Sequence, residues 1–138
     1  MMKIRRVTRA ALAILACAAI VGSGCSDGST EPGPEAGRLT VSVSSSGGGA
    51  AAFLVTVTGD GITNAGPANS SHQAYSVLAG NTLTAAIVLS NPLSNGGILE
   101  FDVPDVNAAS SYDVDLVQAA GADNALLSTS DFTVQLTN

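Results

Sequence analysis

Carboxylates are the one abundant reactive side chain in this sequence, and they crowd toward one end. Glu100, Asp102, Asp105, Asp113, Asp115, Asp123 and Asp131 all fall in the last 39 residues. Calcium seeks such oxygen ligands, and extracellular modules bind it weakly. Asp102, Asp105 and Asn107 have a loop spacing that would supply three ligands, although no stretch has EF-hand spacing. Carboxylate pairs also run glycosidases, but a sugar cleft needs aromatic platforms, and the chain has no Trp, two Tyr and three Phe. All five aromatics are expected on buried faces. His72 is the only histidine and sits in a polar Ser70-Ser71-His72-Gln73 segment. No Gly-x-Ser-x-Gly elbow accompanies it, and one histidine gives no closed zinc set. It reads as a solvated loop residue. The expectation is therefore no catalytic residue and no cofactor, with a solvated acidic surface preferred over calcium.

The amino-terminal residues carry a different chemistry. Lys3, Arg5, Arg6 and Arg9 precede an apolar run over residues 10–21. A basic start, a short apolar core and small residues before a cut make a secretory signal. The run falls well short of the ~20 residues that span a bilayer as a helix. Gly22-Ser23-Gly24-Cys25 resembles the lipobox of bacterial lipoproteins, with Gly22 where that family usually has Leu. The resemblance implies that residues 1–24 are removed as a signal peptide. Cys25 then becomes the first residue and carries fatty acyl chains such as palmitate. Two other processing sites stay open: Cys17, behind Ile14-Leu15-Ala16, and cleavage by ordinary signal peptidase after Ala18. Ser26 after the cysteine leans toward the outer membrane, since an Asp there favours inner-membrane retention in diderm lipoproteins.

Removing the leader changes the charge. The whole chain has a formal charge of −6, but four of its five cations lie before residue 25. What remains is Arg38 against eleven carboxylates, a formal charge of −10. Nucleic-acid binding needs phosphate neutralisation by Lys and Arg and is excluded. Polybasic attachment to anionic lipid is excluded for the same reason, so any membrane association rests on the lipid. With Cys17 removed and Cys25 acylated, no cysteine is left for a disulfide. The fold must stand on its hydrophobic core.

Residues 26–37 read SDGSTEPGPEAG, a composition that cannot offset ordering entropy. With Cys25 they form an expected lipidated flexible linker, residues 25–37, whose last twelve residues reach at most roughly 40 Å. From residue 38 to 138 the pattern is period two. Leu39, Val41 and Val43 alternate with polar residues, as do Phe53, Val55 and Val57. Tyr75 and Val77 make a shorter run; Leu83, Ala85, Ile87 and Leu89 a longer one. Leu99, Phe101 and Val103 follow, then Tyr112, Val114 and Leu116, then Phe132, Val134 and Leu136. Strict alternation predicts strands with one buried face. Gly47-Gly48-Gly49, Asp60-Gly61, Gly80-Asn81 and Asn95-Gly96 supply turns, and Pro104 ends the fifth run. Residues 66–71 read as a polar loop, and residues 124–127 as one turn at most. About seven short strands in roughly 100 residues predict an all-β antiparallel β-sandwich. Glu100 and Asp102 share an outward face, as do Asp113 and Asp115; were their strands to pair, like charges would oppose each other.

Tyr112 opens the sixth run two residues before a core position. That is where an immunoglobulin-type sandwich places a corner tyrosine bonded to backbone a few residues upstream; the alternative is an ordinary strand aromatic. The stretch GGILEFDVPDVNAASSYDVDLVQAAGADNALLSTSDFTVQL resembles small bacterial lipoproteins of unassigned function. More loosely it resembles cohesin-like and other immunoglobulin-like modules, which share its G-x-L-x-F strand, V-P loop and S-Y-x-V strand. The resemblance implies an immunoglobulin-like sandwich and transfers no functional residue. The functional expectation is a non-catalytic, lipid-anchored envelope or cell-surface domain that is structural or binds a protein. Its alternatives are a calcium-dependent adhesion module and, more remotely, a hydrolase.

Overall fold

Alternation becomes strands because side chains on a β-strand point to opposite faces in turn, and one parity here is apolar. The computed structural model describes residues 31–138; the expected signal peptide, Cys25 and the first part of the linker lie outside the described residues. Nine strands form: β1 (Gly37–Ser45), β2 (Ala50–Thr58), β3 (Thr63–Pro67), β4 (Gln73–Ala79), β5 (Thr82–Leu93), β6 (Asn95–Val103), β7 (Asp113–Ala120), β8 (Leu126–Leu127) and β9 (Phe132–Thr137). They make two antiparallel sheets, one ordered β3-β6-β1-β9 and the other β4-β5-β2-β7-β8. The fold is an all-β sandwich, as the alternation predicts.

All seven expected runs are strands, and two further strands join them. β3 overlaps the expected polar loop of residues 66–71 only at Gly66 and Pro67, and its segment has no apolar alternation. Its pairing with β6 is interrupted, running Thr63↔Asp102, Gly66↔Glu100 and Pro67↔Leu99. It is an edge strand, where Pro67 leaves no ladder donor missing on its solvent side. β8 takes up Leu126 and Leu127, which pair with β7 rather than turning helically.

β4–β5 and β7–β8 are the connections that stay within one sheet; the others cross between sheets. The β4–β5 link is a two-residue hairpin, with Ala79 opposite Thr82. Gly80 sits there at φ +63, a conformation that other residues adopt only with strain.

The inward parity of the long strands makes the core. Leu39, Val41 and Val43 of β1 meet Phe53, Val55 and Val57 of β2 between the sheets, with Leu83, Ala85 and Ile87 of β5 and Phe101 of β6. Each of these Leu, Val, Ile and Phe side chains contributes about 1.5–3 kcal/mol on leaving water. Among the described residues no polar or charged one is fully buried. Ile98 and Leu99 are both fully buried although adjacent. The ladder runs Val41↔Leu99 and then Ser42↔Gly97, so Ile98 is the extra residue of a β-bulge. Two successive side chains can then face inward. Phe53 and Phe132 meet edge to face at 5.5 Å and fasten β2 to β9 across the sandwich. Glu31–Asn138 forms one compact unit, and the buried core found among the described residues lies within it. A unit of this size with its own buried core is expected to fold alone.

Candidate functional site

β1 starts at Gly37, and its antiparallel register with β6 sets Arg38 opposite Asp102 and Thr40 opposite Glu100. Arg38 lies on the solvent face and reaches both acids. Its Nε donates to Asp102 Oδ1 at 2.8 Å and its guanidinium contacts Glu100 Oε2 at 3.3 Å. Asn64 of β3 donates to the other oxygen of Asp102 at 2.9 Å. The hydrogen bond from Arg38, then that from Asn64, hold the Asp102 carboxyl below the usual range. The same hydrogen bond with Asp102 raises the Arg38 guanidinium further. A depressed carboxyl contributes stability that is present at neutral pH and lost as pH falls through its folded pKa. Arg38→Gln is thus expected to lower resistance to urea at about pH 7, with the difference from wild type shrinking toward about pH 3. The group is exposed, so the effect is small. A difference independent of pH would contradict this account.

The condition for like charges to oppose each other is not met. β6 and β7 belong to different sheets, so Glu100 and Asp102 never oppose Asp113 and Asp115. Instead Asp113 pairs with Thr58 and Asp115 with Thr56. Alternation shows which residues share a face but not which strands are neighbours.

The other oxygen ligands considered for calcium have partners within the fold. Asp105 Oδ1 accepts from the backbone N–H of Asn107 at 3.0 Å and of Glu35 at 3.1 Å. It thereby caps a 3-10 turn over Val106–Ser111. Val106 N–H donates back to the Glu35 carbonyl at 2.8 Å, and the Asn107 side chain donates to the Gly33 carbonyl. The residues just before β1, within the expected linker, are thus fastened to the β6–β7 connection. Asp102, Asp105 and Asn107 serve separate contacts. Among the described residues no group of three or more His, Cys, Asp or Glu side chains is placed to hold a metal ion.

His72 is half-buried rather than solvated. Its backbone N–H donates to the Asn69 carbonyl at 2.9 Å, closing the β3–β4 turn. Its Nδ1 is buried and has no hydrogen-bond partner among the described residues.

Tyr112 is buried, and its hydroxyl donates to a backbone carbonyl at 2.7 Å. The acceptor is Asp60, 52 residues upstream in the β2–β3 turn, not a neighbour in the chain. The local corner is therefore absent, and a long-range tie between two connections takes its place. The ring packs on Phe101, with centroids 6.1 Å apart. The ring also lies against Gly59, where an added Cβ would clash with Tyr112 Cδ1 and Cε1. Tyr112 lines a groove of about 430 Å³ with Asp60, Asn81, Asp105, Ser111 and Asp113. Burial, followed by the negative charges of Asp60 and Asp105, raises the phenol above its ordinary value.

One aromatic departs from expectation. Tyr75 is 64% exposed, as is Val77, so the apolar parity of β4 points to solvent. The residues of the opposite parity are Ala74, Ser76 and Leu78, and even Leu78 is 47% exposed. β4 is an edge strand, paired with β5 on one side only. Its seven-residue pairing with β5 is continuous, from Gln73↔Val88 to Ala79↔Thr82. QAYSVLA has no charge, no proline and no bulge. Such an edge offers a row of unpaired backbone donors and acceptors, which proteins usually blunt with those devices. Nearby, Ala52, Leu54, Ala86, Val88, Ala120 and Leu126 line a shallow apolar groove of about 220 Å³. What this arrangement can do chemically is bind an extended chain through its backbone. Comparison of the chain with protein-family models, curated proteins and solved structures gave no match.

Proposed function

We propose that this protein is a non-catalytic, lipid-anchored module of the bacterial cell envelope, with an immunoglobulin-like sandwich that binds protein through its β4 edge. The observation that carries the reading is the unblunted edge itself, with Tyr75 and Val77 each 64% exposed beside it. β-Strand addition uses such an edge: main-chain hydrogen bonds supply affinity and alternate side chains supply specificity. The carboxylates support a binding role rather than an acid–base one. Asp102 is held by Arg38 and Asn64, and Asp105 caps backbone.

The anchor rests on the lipobox-like Gly22-Ser23-Gly24-Cys25, and Ser26 favours the outer membrane as its address. Mass spectrometry of the mature amino terminus is expected to find acylated Cys25, and an unmodified terminus overturns the anchor. Binding is tested by a photo-crosslinking residue at position 77 in growing cells. A discrete protein adduct is expected; none from this position overturns the β4 reading.

A further inference from the structure

The charges of the domain are segregated. Residues 61–99 contain no Asp, Glu, Lys or Arg, a stretch that covers β3, β4 and β5. Residues 31–138 otherwise carry ten carboxylates and one arginine. A second copy is repelled by that charge over most approaches, and least along the side that lacks it. Repulsion between exposed charges fades beyond about 8 Å at physiological salt, so a neutral strip one strand wide matters.

β4 alone combines that neutrality with length and an open ladder. β3 lies in the same neutral stretch but is short, interrupted and ends in Pro67. β8 has two residues. β9 exposes Thr133, Gln135 and Thr137, and its Val134, Gln135 and Leu136 share a groove with Asp113.

The sequence of β4 is also complementary to itself. Set antiparallel about a two-fold axis at Ser76, Tyr75 opposes Val77 of the second copy and Val77 opposes its Tyr75. An aromatic beside a β-branched residue is a favourable cross-strand pair. On the other face Ala74 meets Leu78, small against large, and the half-exposed Leu78 is covered. A closed two-fold pairing of this kind is isologous and ends at two copies.

We propose that β4 pairs antiparallel with β4 of a second copy about Ser76, joining their two five-stranded sheets into one. This rests on the reading of β4 as the interaction edge and names its partner.

The test uses Glu31–Asn138 in analytical ultracentrifugation and hydrogen exchange over a concentration series up to the submillimolar range. A monomer–dimer equilibrium is expected, with exchange across Gln73–Ala79 slowing as the dimer forms. Ser76→Lys places two ammonium groups face to face and is expected to weaken the dimer more than about tenfold. Val77→Lys, on the exposed face, gives a second perturbation of the same strip. Leu126→Lys, on the 71% exposed residue of the apolar groove, leaves the dimer intact. Circular dichroism confirms that each variant is folded. A monomer at every concentration, or a dimer lost with Leu126→Lys and kept with Ser76→Lys, overturns the pairing. If the isolated domain stays monomeric while position 77 captures a different protein in cells, the homotypic pairing fails and the β4 reading stands. With no adduct in cells either, both fail.

Discussion

Replacing Tyr112 by alanine is expected to remove about 3–5 kcal/mol of stability. A domain of this size has only about 5–15 kcal/mol in all, so Tyr112→Ala stands close to unfolding. The melting temperature should fall by more than about 12 °C. The reason is that Tyr112 makes several contacts at once. Its ring fills space beside Phe101 and Gly59, and its hydroxyl closes the distance to the Asp60 carbonyl. Removing the side chain opens a cavity and frees two connections from each other. Tyr112→Phe isolates the hydroxyl: the ring stays, the Asp60 carbonyl loses its donor, and about 1–2 kcal/mol is lost. Urea denaturation of Glu31–Asn138 followed by circular dichroism measures both. A loss under about 1 kcal/mol for Tyr112→Ala would show that this tie does not hold the end of the sandwich.

Gly59→Ala attacks the same contact from the other side. The added Cβ would clash with Tyr112 Cδ1 and lie 2.6 Å from Cε1, inside any allowed separation. The ring is rigid and buried, so either the β2–β3 turn or the ring must move. Overpacking of this kind costs about 1–3 kcal/mol. Glycine is required here by the neighbour rather than by backbone conformation. The two substitutions should therefore be strongly non-additive. Once Tyr112 is alanine the obstacle is gone, and most of the cost of Gly59→Ala disappears. A coupling of about 1–3 kcal/mol is expected from the double-mutant cycle, and additive losses would contradict the contact.

The sandwich was legible because seven strands keep strict alternation with turn residues between them. β3 was hidden: Thr63-Asn64-Ala65-Gly66-Pro67 has no apolar parity, and pairing with β6 makes it a strand. β8 is too short to have a period. Alternation also leaves one ambiguity on edge strands, where neither face is fully covered. Tyr75 and Val77 have the parity of a core face, yet the sheet turns Ala74, Ser76 and Leu78 inward. Tyr112 stood out locally, but its acceptor lies 52 residues away, and no local pattern reports such a partner. Likewise the acids of β6 find Arg38 and those of β7 find threonines because of sheet order, which spacing does not encode. The edge at β4 left one trace in the sequence, the absence of charge from residue 61 to 99.

If β4 is an interaction edge, cross-linking in intact cells will capture what pairs with it. A photo-reactive residue is placed at position 77 on β4, at 126 on the apolar groove and at 133 on β9, each in the full chain. Pairing through β4 yields an adduct from position 77 at twice the mass of the chain, and none from 126 or 133. Adducts from 126 or 133 with none from 77 would contradict it.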